Sequence, residues 1–157
     1  MGDFAYSKDN EHNDLLELHN CLIELEKIEI QRSRENIPKR VIEKKYQETL
    51  ERFSVIAGIV QDRQIIAINS RVSDLLGFSS SELIGSNFDR YIHPSELPEI
   101  LELYGKRLSG NEVPIIYETI LKRRNGYNIY VQITTSLFTY IGMPANFAII
   151  KVLGETI

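Results

Sequence analysis

Apolar positions along this chain change period near residue 53. From Leu15 they recur by threes and fours, at Leu15, Leu18, Leu22 and Leu25, with Glu and Lys between them. That spacing predicts an amphipathic helix over "NDLLELHNCLIELEKIEIQRSR". The seam runs for about two heptads before Ile28 and Ile30 shift it, short of the three or four that define a coiled coil. Pro38 interrupts, and "NIPKRVIEKKYQETLERF" predicts a second helix. Asn36 is its expected cap, with Pro38 in the first turn and Ile42, Tyr46, Thr49, Leu50 and Phe53 on one face. Both helices either pack on their own domain or pair with another chain. A narrow apolar stripe buries little alone, which favours pairing through Leu15, Leu18, Leu22 and Leu25.

Beyond Phe53 the pattern is strand-like. "SVIAGIV" and "QIIAIN" flank a turn at "QDR" and predict a hairpin. Residues 67–97, "AINSRVSDLLGFSSSELIGSNFDRYIHPSEL", then place several short helix signals where one long helix would bury the same side chains with less loop. Asn69 or Ser70 is a cap and Gly77 a left-handed stop. Ser79 and Glu82 have capping-box spacing, Phe78 and Leu83 form the staple, and Gly85 is the next stop. Pro94, Ser95 and Pro98 suit the start of a longer helix over residues 95–108. Short helices with fixed corners wrap a sheet face and leave a concave interior. Two further runs, "IIYETILKRR" and "YNIYVQITTSLFTY", flank Asn125-Gly126, a hairpin signal because both residues tolerate positive φ. "ANFAIIKVL" makes a fifth strand after a turn around Gly142 and Pro144.

Composition narrows the function classes. The 157 residues suit one domain with an appendage, and 43% hydrophobic with 25% charged content is that of an ordinary globular protein. A net charge of -4 gives a phosphate backbone no reason to bind, so nucleic acid is not an expected partner. No apolar run reaches the roughly 20 residues that cross a bilayer, and the start has no signal-peptide pattern, so a cytoplasmic protein is expected. One cysteine, Cys21, forms no internal disulfide, and three scattered histidines have no metal-ligand spacing. No nucleophile elbow, phosphate loop or carboxylate–histidine motif is present, so no enzyme is expected in this chain.

The ordered set "IAGIVQDRQIIAINSRVSDLLGFSSSELIGSNFDRYIHPSEL", a longer helix ending in "RLSGNEVP", and "YETILKRRNGYNIYVQITTSL" resembles a PAS domain over roughly residues 50–153. The resemblance implies an α+β fold: a five-stranded antiparallel sheet with short helices and one longer helix on one face, and a ligand pocket between them. It also implies a role in signal transduction, ahead of a histidine kinase, a diguanylate cyclase or another PAS domain in a longer chain, with terminal helices that dimerise. Residues 1–49 are then a helical extension and 50–157 the PAS domain.

Three departures from the family matter, two for cofactors and one for coupling to a downstream helix. Light-sensing members carry a reactive cysteine after the asparagine of "NCRFLQ"; here "NSRVSD" places Ser70 there, which argues against a cysteine–flavin adduct. Haem-binding members use a histidine in the longer helix, and "SELPEILELYGKRL" has none, which argues against His-ligated haem. Where members end in Asp-Ile-Thr-Glu, this chain has "VLGE", residues 152–155, which argues against the family's usual coupling to a downstream helix. No cofactor is expected, and an unidentified small molecule is the candidate ligand.

His93 and Cys21 have plain readings, a helix-start residue and a small apolar filler. The expected cavity walls, from period-two alternation and the family layout, are Ile68, Leu76, Ile92, Leu121, Val131, Ile133 and Ile149. Tyr104, Tyr117, Thr119 and Thr135 add polar tips that either orient a ligand or bond within a closed core. A ligand sensor and a ligand-free dimerisation module both fit.

Overall fold

The computed structural model describes residues 8–108 and 116–156. Two helices, α1 (Lys8–Glu35) and α2 (Lys39–Arg52), precede strands β1 (Ile56–Gln61) and β2 (Gln64–Ile68). The wrapping segment follows as α3 (Ser70–Leu76), α4 (Ser80–Leu83), a 3₁₀ turn at Phe88–Tyr91, and α5 (Leu97–Leu108). Strands β3 (Ile116–Lys122), β4 (Asn128–Tyr140) and β5 (Met143–Thr156) complete a five-stranded sheet in the order β2-β1-β5-β4-β3. All pairings are antiparallel. Among the described residues no helix is long and apolar enough to cross a membrane.

The stop at Gly77 and the capping box at Ser79 and Glu82 form as the sequence predicts. Gly77 closes α3 at φ 82°, a left-handed conformation open to glycine without a Cβ penalty. Ser79 caps α4, its side chain accepting the Glu82 N–H while the Glu82 carboxylate accepts from the Ser79 N–H. The segment also covers both sheet edges. Ile65 donates to Ser86 O at 2.9 Å and Gly85 to Ile65 O at 2.7 Å along β2, while His93 N–H reaches Ile120 O of β3 at 2.9 Å. Edge groups that would otherwise invite foreign strands are thereby occupied.

Several expectations are corrected. Asn36, at φ 61°, ends α1 in the left-handed region, and Pro38 occupies the cap position of α2. Asn125-Gly126 is not a two-residue turn with paired positive φ; only Gly126 is left-handed, at φ 88°, in a longer loop between Lys122 and Asn128. The tight turns are elsewhere, at Asp62–Arg63 and Ile141–Gly142, each with both residues at positive φ as the twist of the flanking strands demands.

The largest correction concerns the leucine stripe. Leu18, Leu22 and Leu25 are at most 6% exposed, packed within the chain against Tyr46 and Leu50 of α2 and against Ala57, Ile59, Tyr140 and Phe147 of the sheet. The side chain of Leu15 lies outside the described residues. The stripe therefore forms an intramolecular core in place of the expected interchain seam. Burying each leucine contributes about 1.5–3 kcal/mol, and the sheet supplies a face wide enough to do so without a second chain. A second core, with Val72, Leu76, Leu83, Tyr91, Ile92 and Ile100, fills the other face. The sheet is thus covered on both sides.

A candidate ligand cavity

Between the sheet and the wrapping helices lies a cavity of about 140 Å³. Its origin can be read from the strand register. One row across the floor is Ile68, Gly58, Ala148 and Thr135, from β2, β1, β5 and β4. The two central residues are the smallest available, so the sheet is hollow there. Gly58 has no room for more, since a Cβ would stand 3.1 Å from Ala67 O and 3.2 Å from Ile68 Cγ2. The adjacent row, Ile56, Ile150, Ile133 and Tyr117, is large and bounds the hollow. The roof comes from Val72 and Leu76 of α3, Ile92, and Ile100, Leu103 and Tyr104 at helical spacing on α5.

Of the expected wall residues, the cavity gathers Ile68, Leu76, Ile92, Leu121 and Ile133, with the polar Tyr104, Tyr117 and Thr135. Val131 is fully buried in the same core but does not line the space. Thr119, between Tyr117 and Leu121 on β3, is also outside the lining; its Oγ1 is buried without a hydrogen-bond partner among the described residues. Ile149 is a correction: it packs on the opposite face with the α1–α2 core. Its neighbours Ala148 and Ile150 line the cavity instead. A one-residue slip in phase exchanges the faces of a strand.

That slip concealed a polar group. Asn146 of β5 lines the cavity, is 5% exposed, and has a buried Oδ1 with no hydrogen-bond partner among the described residues. The signal was present in the sequence as a lone amide in "ANFAIIKVL" at even spacing from Ala148 and Ile150. Gly58 and Ala148 were missed as well, because their contribution is the volume they leave empty.

The remaining polar tips are committed to structure. Tyr104 Oη accepts the Arg63 N–H at 2.9 Å, tying α5 to the β1–β2 turn, and its ring packs on Phe88 at 5.4 Å. Burial pushes the Tyr104 hydroxyl above its ordinary pKa, partly opposed by that bond from Arg63. Tyr91 Oη meets Ser86 Oγ at 2.8 Å. His93 Nδ1 contacts Ser95 Oγ at 2.8 Å and accepts the Ser95 N–H at 3.2 Å, the role of a residue at the approach to α5. Ser70 is exposed, its N–H and Oγ both held by Glu51 of α2 and away from the cavity lining. No Asp, Glu, Lys, Arg or His lines the cavity among the described residues.

A sequence model of the PAS fold matches residues 65–148, more than half of the chain. No curated protein matches it. Among solved structures, a PAS domain from Desulfitobacterium hafniense is 20% identical with a TM-score of 0.60, over 66% of this chain and 97% of that one. The PAS domain of an HTR-like protein from Haloarcula marismortui is 22% identical with a TM-score of 0.58, over 78% of this chain and all of that one. The PAS domain, in complex with ethanol, of a LuxR-family transcriptional regulator from Burkholderia thailandensis is 20% identical with a TM-score of 0.53, over 69% and 96% of the two chains. With the sheet order, the wrapping helices and the matched segment in agreement, the chain belongs to the PAS-fold family.

Proposed function

We propose that this protein is a sensory module in which a small molecule enters the cavity and its presence is passed through the sheet to α1 and α2. The carrying observation is that the same two strands serve both faces. Gly58 and Ala148 form the cavity floor, while Ala57 and Ile59 beside Gly58, and Phe147 and Ile149 beside Ala148, pack under α1–α2. A ligand that shifts β1 or β5 therefore changes the seat of the N-terminal helices, and close-packed cores transmit such shifts. At about 140 Å³ the cavity is well below the roughly 300–1,000 Å³ of sites for drug-sized ligands, which supports a small metabolite and no flavin or haem. The ethanol complex of the transcriptional regulator's PAS domain supports a small occupant and a place in signal transduction.

Replacing Ala148 with Leu fills the hollow from its floor and tests this reading. The wild type should gain thermal stability from members of a small-metabolite panel and show altered hydrogen exchange in α1 and α2; Ala148→Leu should fold and respond to none. A second reading, a ligand-free interaction module, has one observation in its favour. Leu16, Ile23 and Ile30 stand seven residues apart on α1 and are 47%, 38% and 64% exposed. Self-association that disappears in Ile23→Glu, with wild type and Ala148→Leu equally indifferent to every compound, would establish that reading and overturn the first.

A further inference from the structure

We infer that the cavity selects a small uncharged molecule carrying a hydrogen-bond donor, an alcohol or phenol in chemical class, which it holds through Asn146 Oδ1. This rests on the reading of the cavity as a ligand site and goes further, to what the ligand must be. Three observations carry it. Asn146 is 5% exposed on the wall of a largely apolar cavity, and its Oδ1 has no hydrogen-bond partner among the described residues. A buried acceptor without a donor is costly, and native proteins rarely keep one without a reason. A ligand hydroxyl supplies the missing donor.

Charge is decided by what is absent from the wall. The cavity lining contains no ionisable side chain of Asp, Glu, Lys, Arg or His among the described residues. Moving an ion into such a space has nothing to offset its lost hydration, so carboxylates and ammonium ions are rejected. Size is decided by the floor: the Gly58–Ala148 hollow gives about 140 Å³, and apolar cavities of about 150 Å³ accept benzene. The ligand is therefore a single ring or a short branched chain, apolar except for one donor aimed at β5. The other polar groups are placed differently. Tyr104 Oη is already bonded to the β1–β2 turn, and Tyr117 and Thr135 each have an interaction of their own, which leaves Asn146 Oδ1 as the acceptor without one among the described residues.

The test is a titration of the whole isotope-labelled chain by NMR with five probes of one shape: phenol, toluene, benzaldehyde, benzoate and benzylammonium. Phenol should bind about tenfold more tightly than toluene, the worth of one well-made hydrogen bond, and should shift the Asn146 side-chain amide resonances. Benzaldehyde, which accepts but cannot donate, should bind no better than toluene, and the two ions should not bind. Asn146→Leu should raise the melting temperature by removing the unpartnered oxygen and bring phenol down to the affinity of toluene. Asn146→Ala should abolish the preference in the same way and serves if the leucine does not pack. Equal binding of phenol and toluene to the wild type would overturn the donor assignment and leave the ligand site standing. So would tighter binding of benzaldehyde than phenol. A phenol preference that survives both substitutions overturns the role of Asn146, and binding of either ion overturns the exclusion of charge. If no probe binds, the ligand-site reading fails and this inference with it.

Discussion

Asn69 and Asn146 are both buried asparagines, yet they do opposite things. Asn69 is 1% exposed and fully employed: its Nδ2 donates to Leu50 O at 3.1 Å and Val55 O at 2.6 Å, and its Oδ1 accepts the Ala57 N–H at 3.3 Å. It stitches the end of α2, the connector and β1 together. The sequence marks Asn69 as a cap for α3, and it does stand at that position, but without a side-chain cap bond. Its side chain turns away because three backbone groups from other elements need it more than one helix amide does. Asn69→Asp keeps the shape and removes both donors, setting a carboxylate against two carbonyl oxygens. Chemical denaturation should show a loss of about 2–4 kcal/mol, within the range for breaking a buried network. A loss below about 1 kcal/mol would mean that the stitch contributes little.

The junction of α1 with the β4–β5 hairpin decides how these elements hold one another. Strand β4 runs past the end of β3, so the amides of Thr139 and Ile141 have no strand partner on that side. Carboxylates of α1 take them: Glu26 accepts from Thr139 N–H at 3.0 Å and Glu29 from Ile141 N–H. Glu29 also accepts the hydroxyl of Tyr46 at 3.0 Å. Ile141, a β-branched residue at φ 49°, is held in a conformation such residues avoid, and packing against the helix-side core offsets the strain. The same junction makes the fold sensitive to alkali. Burial, then Glu43 and Glu29, push the Tyr140 hydroxyl up to about 12; burial, then Glu29, push Tyr46 up as well. Both pKa values are raised on folding, so the folded state holds its protons longer than the unfolded chain. The contribution is complete below pH 10 and is lost as pH rises from 10 towards 12, by up to about 1.4 kcal/mol per pH unit per tyrosine. Denaturation midpoints measured across that window should fall steeply in the wild type and less so in Tyr140→Phe, which keeps the tilted ring contact with Tyr46, centroids 4.7 Å apart. Equal slopes would show that Tyr140 is not part of the effect.

At the scale of the whole molecule, α1 and α2 complete the domain. Removing residues 1–36 would uncover Tyr46, Ile59, Tyr140 and Phe147 together, and the truncated chain should melt at least about 10 °C lower or aggregate, as read by calorimetry and light scattering. A truncated chain with unchanged melting would mean that the helices rest on the sheet without stabilising it. This arrangement also explains which features were legible in the sequence. The sequence alone determined the order of elements, the capping box at Ser79 and Glu82, the stop at Gly77 and the inward phase of β3 and β4. Each of these depends on neighbours a few residues away or on a strand with one polar face. Tertiary structure decided the rest. Strand β5 is covered on both faces and is apolar on both, so alternation carries no phase there, and Ile149 and Asn146 exchange sides. The leucine stripe specifies that an apolar partner must exist, and only the packed sheet shows that the partner is the chain itself. The cavity was least legible of all, because it is made by the smallness of Gly58 and Ala148 at one register row, and volume left empty has no periodicity along a sequence.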